Sequence, residues 1–574
     1  MKKKLLISAI SMLIPSMVSA NEPITSKYWE NYINTRVVGT DLLDPEKYEV
    51  DGFVPPNFSY AGYKTGIIKV PNTDDYSDYK VFDVTEYGAI ANDKKSDKIS
   101  FQKMAHAVSK YVNETGKGAI FYIPEGRFII NNKSDLKNID VSKKSHIVNE
   151  QVISITGSNV IMMGEGTGKT ILAMEHHLLP ESPKKMWTTP YIIRMGASKA
   201  SYQTKISTTV VKDIVRDTTF NLVVADASEF KVGDYVEIQG LISNEERIED
   251  AISPYKFELT PKGKPMWGML AKTLRKLEKH RIVGISDNTL TFDVPVAHNI
   301  IAEDQWTVTK IQPAVGNGLK DISFEGSWDG DFVHHANALH DSGYSFVQFT
   351  RSVDSWISDV TMDSFNQGIQ VSNSFNTTVQ NINLTGKPGH IAISFLYGNH
   401  NMMKDINDKA HTWHATGLSK YSTHNVILRS TFSPLMGLDL HGAQAMDNLF
   451  DNIEGGFVKG HWGAAVKDQP NHLKGLYIWN GKNTGEPNDK LYFMSADGKF
   501  GKLIMPHLIG LHGNKLDVQP QFNYMAAATQ QGWADYKKFP KRNVKQAYIE
   551  SNGQEVFPHS LYEAQLELRS SLNK

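Results

Sequence analysis

The stretch that decides the fold runs from residue 354 to residue 460 and contains five segments of similar pattern. They read DSWISDVTM from Asp354, NTTVQNINL from Asn376, NMMKDINDK from Asn401, NVILRSTFS from Asn425 and DNLFDNIEG from Asp447. In each segment a serine, aspartate or asparagine precedes one β-branched residue. These anchor residues are Val360, Ile382, Ile406, Thr431 and Ile453, at intervals of 22, 24, 25 and 22 residues. Such a short repeat, carried by β-rich runs, predicts a solenoid rather than a globular sheet.

The length of the repeat also predicts the fold class. With three short strands per turn, it closes one coil of a right-handed parallel β-helix, so we expect an all-β solenoid. Successive coils would stack at the spacing of neighbouring strands, about 4.8 Å. The five anchors should therefore form one column inside the solenoid.

A second set of residues shares one offset from the anchors. The residues eight positions later are Gly368, His390, His414, Asp439 and His461. An equal offset on successive coils predicts a shared column with side chains about 5 Å apart. Histidine accounts for only 20 of the 574 residues, so three in this column predict a chemical role. The alternative interpretation is that histidine simply suits an exposed solenoid face.

The composition and the first residues of the chain limit the class of protein. Residues 1–20 have a basic start, a short apolar stretch and a small-residue end, which together predict a secretory signal. We therefore expect a secreted or periplasmic protein, and no other stretch is apolar enough to predict a membrane span. The absence of cysteine excludes disulfides and thiolate chemistry. A net charge of −1 predicts no general attraction for nucleic acid, and we expect a monomer.

The sequence divides into six predicted regions. They are a signal peptide (1–20), an extended arm (21–80), an N-terminal cap with the first coils (81–200), a β-rich insertion (201–313), the coils with the candidate site (314–480) and a C-terminal extension (481–574). In the insertion, the basic run MLAKTLRKLEKH from Met269 is predicted to be helical.

Two helices are predicted outside the repeat. In the cap, a helix can begin at Ser96 or Asp97. Its apolar face is predicted from spacing and comprises Phe101, Met104, Ala105 and Val108. Near the end of the chain, Ser560 and Glu563 form a capping-box pattern, which predicts a terminal helix from about Leu561.

A mixture of cations and tryptophan follows the repeat, in the run HWGAAVKDQPNHLKGLYIWN from His461. Ammonium and imidazole groups suit the carboxylates or sulfates of an anionic sugar chain, and indole stacks on a pyranose. The alternative is a solvated loop. The predicted substrate-binding residues are His461, Trp462, Lys467, His472 and Lys474, with Trp413 beside the histidine column.

From about Asn57 to its end, the chain resembles secreted bacterial pectate-lyase-like β-helix proteins of a functionally ill-defined branch. The resemblance rests on the runs NFSYAGY, VFDVTEYGA, VDSWISDVT, GLDLHGAQAMDNLFDNIEGG, PNHLKGLYIWN and SLYEAQLELR. It implies a β-helix with a helical N-terminal cap, and the wider superfamily contains lyases and hydrolases of acidic polysaccharides. The paired aspartates of its polygalacturonate hydrolases and the carboxylate cluster of its calcium-dependent lyases are not evident in these coils.

The histidine column favours a polysaccharide lyase. β-Elimination needs a base for the C5 proton of a uronate, a group that stabilises the enolate and an acid for the leaving oxygen. We predict His414 as the base and Asp439 as the residue that orients it or as a metal ligand. His390 or His441 would stabilise charge, and Lys420 and Tyr421 are reserve candidates for the acid.

Two other functions stay open. A glycoside hydrolase needs two carboxylates about 5 to 10 Å apart, and Asp439 with Asp447, Asp451 or Glu454 would have to supply them. A non-catalytic carbohydrate-binding solenoid would not need a titratable cluster. Residues of the column are also suited to bind a metal, and a divalent cation such as calcium is the cofactor that the sequence leaves open. The expected partner in each case is an acidic polysaccharide.

Overall fold

The structure is a computed structural model. It describes residues 23–38, 53–137, 139–182, 184–254, 273–435, 438–456, 468–487, 489–491, 493, 503–518 and 545–572. The predicted signal peptide lies outside the described residues. Within the described ranges, no helix is both long enough and apolar enough to cross a membrane.

Two parallel sheets, called the long sheet and the short sheet, organise the chain, and each takes its strands from successive turns of the backbone. The long sheet contains, in order, Lys80–Asp83, Ala119–Tyr122, Val160–Met163, Gly318–Gly326, Trp356–Asp363, Thr378–Thr385, Met402–Asp408, Val426–Leu428, Asn448–Asp451, Leu476–Trp479 and His507–Gly513. The short sheet contains Ile153–Thr156, Ile193–Gly196, Ser345–Thr350, Gln367–Ser372, Ile391–Leu396, Gly417–Ser419 and Asp439–Leu440. Because the chain visits both sheets in turn and these pairings are parallel, each turn lies on the one before it.

A third line of contact completes each turn. Single parallel bridges join Val353 to Phe375, Phe375 to Asn399, and Asn399 to Thr423. Each turn in this part of the chain therefore has three short extended pieces, as the repeat predicts. The prediction of a β-rich chain with long parallel sheets is confirmed, and the right-handed sense of the coil stays a prediction.

The prediction that the anchor residues form one column is correct for most of the column. Val360 pairs with Ile382, which pairs in turn with Ile406, and all three side chains are buried. The predicted register of Thr431 is wrong by one residue, because Thr431 pairs with Asn407 and is exposed to solvent. Since side chains alternate between the two faces of a strand, a shift of one residue turns the predicted anchor outward.

The backbone explains this error. The residue before each inward position has a left-handed conformation, with φ values of 56° at Asp359, 54° at Asn381 and 57° at Asp405. Aspartate and asparagine adopt this conformation more readily than most residues, which is why they mark the repeat. On the fourth turn the left-handed residue is Arg429, with φ 44°, so Ser430 takes the inward position. The arginine is held by ion pairs with Asp405 and with a glutamate of the terminal helix.

A ladder of amides runs through the turns. Asn401 donates its backbone N–H to Oδ1 of Asn425, at 2.9 Å, and Asn425 donates in the same way to Asn448, at 3.0 Å. The side-chain amides repeat these bonds at 3.1 and 3.0 Å. Asn448 Nδ2 then lies 3.0 Å from Nε2 of His472, which ends the series. These four residues, the asparagine ladder, are almost completely buried.

The region predicted as a β-rich insertion forms an antiparallel sheet of six strands. The strands are Gln203–Thr209, Asn221–Val223, Tyr235–Ile242, Leu274–Ser286, Thr289–Phe292 and Thr307–Ile311. The prediction of a helix for the basic run is wrong from Leu274 onward, because these residues pair along their length with Tyr235–Ile242. Glu278, Lys279 and His280 are fully buried in this strand, and a run of charged residues does not predict such burial.

The described α-helices are Lys27–Ile33, Lys98–Thr115, Lys144–Gln151, Lys199–Tyr202, Glu245–Ile252, Ala338–Ser342 and Leu561–Leu572. The apolar face predicted for the second is buried against the first strands, although its capping role stays a prediction. The terminal helix begins where expected, and Glu563 N donates to Ser560 Oγ at 3.1 Å. This helix packs with Phe58 and Tyr28 of the arm on the outer face of the long sheet.

The remaining strands are short and extend these units. Gly126–Asn131 pairs with Thr170–Met174, Tyr548–Asn552 pairs with His507–Gly513, and the others are Ile24–Thr25, Ala314–Val315, Ser352–Val353, Glu454–Gly455, Lys482–Asn483, Asp489–Leu491, Leu516–Val518 and Val556–Phe557.

Candidate functional site

Five imidazoles and two carboxylates converge where the strands of the short sheet begin. This histidine cluster consists of His334, His335, Asp341, His390, His414, Asp439 and His441. His390 directly precedes Ile391–Leu396, and His414 lies three residues before Gly417–Ser419. The first two histidines belong to the loop that leads into helix Ala338–Ser342. Parallel strands start at the same edge of a sheet, so residues that are distant in the chain meet there.

Close backbone approach holds the turns together at this edge. His414 N donates to the carbonyl of His390 at 2.7 Å, which places the two rings on neighbouring turns with centroids 5.1 Å apart. One turn further on, Gly417 lies directly against Asp439. A Cβ at Gly417 would lie 1.8 Å from the carbonyl oxygen of Asp439, so only glycine allows the strand that begins with this aspartate to pack so closely.

The predicted column is therefore only partly correct. Ile391 pairs with Gln367 on one side and with His414 on the other, whereas Asp439 pairs with Gly417. Equal offsets from the anchors do not give equal positions, because the corners between the two sheets differ in length from turn to turn. The carboxylate of Asp439 nevertheless lies within 3.3 Å of both His414 and His441.

Asp439 is shared by two histidines. Its Oδ1 lies 3.2 Å from Nδ1 of His441 and 3.3 Å from Nδ1 of His414. Burial favours the neutral acid, but both imidazoles outweigh it and hold the pKa of Asp439 well below its usual range. Burial is the largest single influence on His441 and lowers its pKa, but the charge and the hydrogen bond of Asp439 together outweigh burial, so the net shift of the pKa is upward. Carboxylate and imidazole thus form a hydrogen-bonded dyad.

Exposure separates the two histidines. The side chain of His414 is 3% exposed, whereas that of His441 is 37% exposed. Since Nδ1 of His441 is bound to Asp439, Nε2 is the nitrogen that remains for a substrate. The predicted base, His414, is thus the less accessible of the two.

Asp341 organises the opposite side of the cluster. Its Oδ2 lies 2.6 Å from Nδ1 of His335, and its Oδ1 accepts the backbone N–H of the same residue at 2.9 Å. Its main-chain carbonyl lies 2.9 Å from Nδ1 of His390 and accepts the ring N–H there. Burial and the neighbouring imidazoles lower the pKa of His390 well below its ordinary value, so this ring is neutral with Nε2 as acceptor.

Aromatic rings enclose the centre. His334 stacks on Trp413 with centroids 5.1 Å apart, and its ring lies 5.2 Å from that of His390 and 5.3 Å from that of His414. Phe332 stacks on His390 at 5.7 Å. These rings exclude water from the centre of the cluster and thereby strengthen electrostatic interactions within it.

Nε2 of His414 is buried at the centre of the cluster and has no hydrogen-bond partner among the described residues. Nδ1 of the same ring has no hydrogen bond there either, and it faces Asp439 at 3.3 Å. Leaving a buried polar atom unpaired costs about 1–3 kcal/mol, so such atoms call for an explanation. Three sets of side chains in the cluster bring possible metal-binding atoms within 4.8 Å of one another: His334, His390 and His414; His335, Asp341 and His390; and His414, Asp439 and His441.

The other predicted binding residues do not join the cluster. His472 is fully buried at the end of the asparagine ladder, where its Nδ1 lies 2.6 Å from the carbonyl of Leu473, so its predicted role at the surface is wrong. Lys474 forms an ion pair with Asp250 at 3.0 Å. The predicted binding residues His461, Trp462 and Lys467 lie outside the described residues.

The reserve acid candidates lie on the turn next to the dyad, where Lys420 N donates to the carbonyl of Gly442 at 2.9 Å and Tyr421 N to that of Ala443 at 2.8 Å. The charge of Lys420 is close enough to His441 to lower its pKa slightly. Its Nζ lies 5.6 Å from the ring centre of Tyr397, which is 5.8 Å from the ring of Tyr421. Arg275, from the antiparallel sheet, lies over Tyr421 at 5.1 Å. Cations and aromatic rings therefore continue the surface beyond His441.

Sequence reasoning missed the loop residues of the cluster. His334, His335 and Asp341 belong to the run DGDFVHHANALHD, from Asp329, which lies outside the aligned repeat segments. Three histidines within seven residues were the available signal. The repeat drew attention to residues that recur from turn to turn, whereas this loop occurs once.

The family model that matches this chain overlaps part of the site. A family model described as "Domain of unknown function (DUF4955)" matches residues 411–573, which include His414, Asp439 and His441 but not His334 or His390. No curated protein matches the chain.

Solved structures similar to this one include proteins with several described activities. A tailspike protein from Pseudomonas phage LKA1 has 12% identity and a TM-score of 0.39, covering 78% of this chain and 84% of its own. The A-module of a mannuronan C-5 epimerase from Azotobacter vinelandii has 10% identity and a TM-score of 0.30, with coverage of 83% and 98%. An exopolygalacturonase from Thermotoga maritima has 9% identity and a TM-score of 0.31, with coverage of 85% and 95%.

Proposed function

We propose that this protein is a polysaccharide lyase that cleaves a uronate-containing chain at the histidine cluster. The observation that carries the proposal is the dyad of a buried Asp439 and a half-exposed His441. The carboxylate fixes the ring with Nδ1 inward, and Nε2 is then positioned to take a proton from a bound substrate.

The reaction requires the base to remove the proton at C5 of a uronate. The electrons of that C–H bond form the C4–C5 double bond, the bond from C4 to the glycosidic oxygen breaks, and the leaving oxygen takes up a proton. His441 is suited to the first step. Lys420 or Tyr421, whose backbone N–H groups bond to the two residues after His441, is suited to the last. We assign the base to His441 rather than to His414 because a base must reach its substrate, and the ring of His414 is buried.

The carboxylates of the cluster favour elimination over hydrolysis. A hydrolase places two carboxyl groups on either side of the scissile bond. Asp341 is completely buried with both side-chain oxygens bonded to His335, and Asp439 is bound to two imidazoles. Burial does raise the pKa of Asp408 to about 6, as a general acid would require. However, the side chain of Asp408 is only 3% exposed, and its Oδ1 accepts the backbone N–H of Ala410 at 3.1 Å.

The test is a screen of the purified protein against a panel of acidic polysaccharides. Elimination gives unsaturated ends that absorb in the near ultraviolet, and their mass lacks the water that hydrolysis adds. Saturated products that each contain one added water would contradict the proposal and indicate a hydrolase. Binding without any cleavage across the panel would instead support a carbohydrate-binding solenoid.

A variant pair connects the activity to the dyad. Asp439→Asn keeps the shape of the side chain but removes its charge, so it should lower turnover while the protein stays folded. His559→Ala is the control, because that histidine is 70% exposed and pairs only with Glu555 among the described residues. Equal turnover in both variants would remove the dyad from the mechanism.

A further inference from the structure

We propose that His334, His390 and His414 bind one transition-metal ion of the zinc type through imidazole nitrogens, and that this site does not select calcium. The proposal concerns an ion-binding property of the cluster and does not depend on the lyase reaction. It follows from the arrangement of donor atoms, from an unpaired nitrogen and from the bonds that orient the rings.

The donor set decides against calcium, the cation that the sequence analysis leaves open. Calcium takes about six to eight oxygen ligands, mostly carboxylates and carbonyls. The two carboxylates of the cluster are already engaged: Asp341 bonds to His335 through both oxygens, and Asp439 bonds to His441. What the centre offers is imidazole, the ligand that zinc, copper and nickel prefer.

Of the three sets of donors, the three histidines are best suited. His390 has its Nδ1 on the carbonyl of Asp341, at 2.9 Å, so its Nε2 is directed elsewhere. Such a second bond to a carbonyl or carboxylate is the usual way in which proteins orient a histidine ligand. In the alternative sets, His335 and His441 have already committed one nitrogen to a carboxylate that would itself have to be a ligand.

The buried nitrogen of His414 is the independent sign of a ligand. Its side chain is 3% exposed, and Nε2 has no hydrogen-bond partner among the described residues. A metal ion would use this atom and remove the cost of leaving it unpaired. Its other nitrogen faces Asp439 at 3.3 Å, a carboxylate that can orient the ring as the carbonyl of Asp341 orients His390.

The required movement is small. The three donor atoms lie within 4.8 Å of one another. In a tetrahedral zinc site with bonds of about 2.0–2.1 Å, neighbouring nitrogens are about 3.4 Å apart. Ring rotations that bring the atoms closer by about 1.4 Å or less would therefore complete the site. Three histidine ligands leave a fourth position for water or substrate, as catalytic zinc sites do.

The surroundings also suit such a site. Trp413 stacks on His334 and Phe332 on His390, which gives the three rings an apolar shell. An apolar shell limits access of water and favours charge–dipole interactions at the ion. The open position would lie beside His441, whose ring is 4.9 Å from that of His414.

The experiment is a titration of the whole protein with metal after removal of bound ions by dialysis against a chelator. We expect one equivalent of Zn²⁺ to bind by calorimetry, and Co²⁺ to give the visible absorption of a four- or five-coordinate ion. His390→Ala and His414→Ala should each weaken Zn²⁺ binding by more than about 100-fold, because second-shell changes alone weaken binding by about 10- to 100-fold. Ca²⁺ added in excess should not displace the Zn²⁺.

Three variants keep the result interpretable. His334→Ala lies on a loop and is expected to fold even if a buried histidine cannot be replaced, so it tests the same site. His441→Ala should retain the ion, because His441 belongs to a different donor set. His559→Ala, on the exposed surface, should behave like the natural protein.

The possible outcomes decide between the alternatives. Loss of binding in His334→Ala and His390→Ala, with retention in His441→Ala, supports the three-histidine site. The reverse pattern would place the ion at His414, Asp439 and His441 and overturn the proposal, and so would displacement by Ca²⁺ or the absence of stoichiometric Zn²⁺ binding. Zinc binding without cleavage of any polysaccharide would leave this proposal standing and remove the proposed function.

Discussion

The asparagine ladder and the histidine cluster are both built from polar residues on successive turns, but their hydrogen bonding differs. In the ladder, Asn425 accepts from Asn401 and donates to Asn448, so each buried amide is used. In the cluster, the rings of His390 and His414 lie 5.1 Å apart and do not bond to each other. Nε2 of His414 has no partner among the described residues.

The difference follows from the chemistry of the two side chains. An amide has donors and an acceptor at one end, so identical amides can bond to one another at the spacing of stacked strands. A neutral imidazole has its donor and its acceptor on opposite sides of the ring, and stacked rings cannot use either. A repeated asparagine therefore satisfies itself and stabilises the fold, whereas a repeated histidine needs another partner. Among buried repeated residues, the unsatisfied ones indicate a site.

The largest effect should come from the exposed member of the dyad. His441→Ala should lower kcat/KM for the cleaved polysaccharide by about 10²- to 10⁴-fold, the usual contribution of a general base. The melting temperature should change little, because the ring is 37% exposed and packs at the rim of the cluster. Initial rates followed by absorbance of the unsaturated product, with a thermal melt of each variant, measure both. A low melting temperature together with normal activity would assign the cluster to structure, like the ladder.

The ladder should show the opposite behaviour. Asn425→Ala leaves Asn401 N and the carbonyl of Gly398 without their partners and should lower the free energy of unfolding by about 2–4 kcal/mol. Activity at low temperature should persist in the folded fraction. Denaturant titration provides the measurement, and Asn383→Ala, an exposed asparagine of the same sheet, is the matched control. Similar stabilities for the two variants would show that the ladder does not stabilise the fold.

The histidine at the end of the ladder should make stability depend on pH. Burial lowers the pKa of His472 from 6.5 to about 4, against a smaller effect of the Leu473 carbonyl. The unfolded chain therefore takes up a proton that the folded protein excludes. The contribution is fully present above pH 6.5, and it decreases as pH falls towards 4, by about 3 kcal/mol in all. His472→Gln, whose amide can donate to Leu473 and accept from Asn448, should lose stability less steeply in this range.

Denaturant midpoints of the natural protein and of His472→Gln at several pH values test this dependence. Because other buried groups titrate in the same range, the informative quantity is the difference between the two proteins. A difference that does not change between pH 6.5 and 4 would mean that His472 is already charged in the fold. In that case the His472 ring would not be a neutral acceptor for the amide of Asn448.

The smallest effect is expected outside both regions. Lys474 pairs with Asp250, but the two side chains are 31% and 64% exposed. Lys474→Ala should therefore change the free energy of unfolding by about 0–1 kcal/mol. It should also leave the KM for the polysaccharide unchanged, because its partner belongs to helix Glu245–Ile252 rather than to the cluster. A several-fold rise in KM would return this lysine to the binding surface that the sequence predicts.

The sequence by itself determined the repeating parts of the molecule. The intervals between Val360, Ile382 and Ile406 predict the parallel pairing of their strands, because a constant rise per turn makes spatial neighbours of residues one repeat apart. The terminal helix could likewise be predicted from Ser560 and Glu563, since a helix cap is a local interaction. Both interactions join residues that are close in the chain or separated by a regular interval, so the sequence alone shows which residues interact.

The tertiary structure alone decided which polar residues meet and which are satisfied. The register at Arg429 depends on ion pairs with Asp405 and Glu563, and the latter is 134 residues away. His472 and His414 have the same side chain, yet one ends a ladder of amides and the other has an unpaired nitrogen. The loop that supplies His334 occurs once, so no period reveals it. Such pairings depend on corner lengths and on long-range packing, and these become defined only when the turns stack.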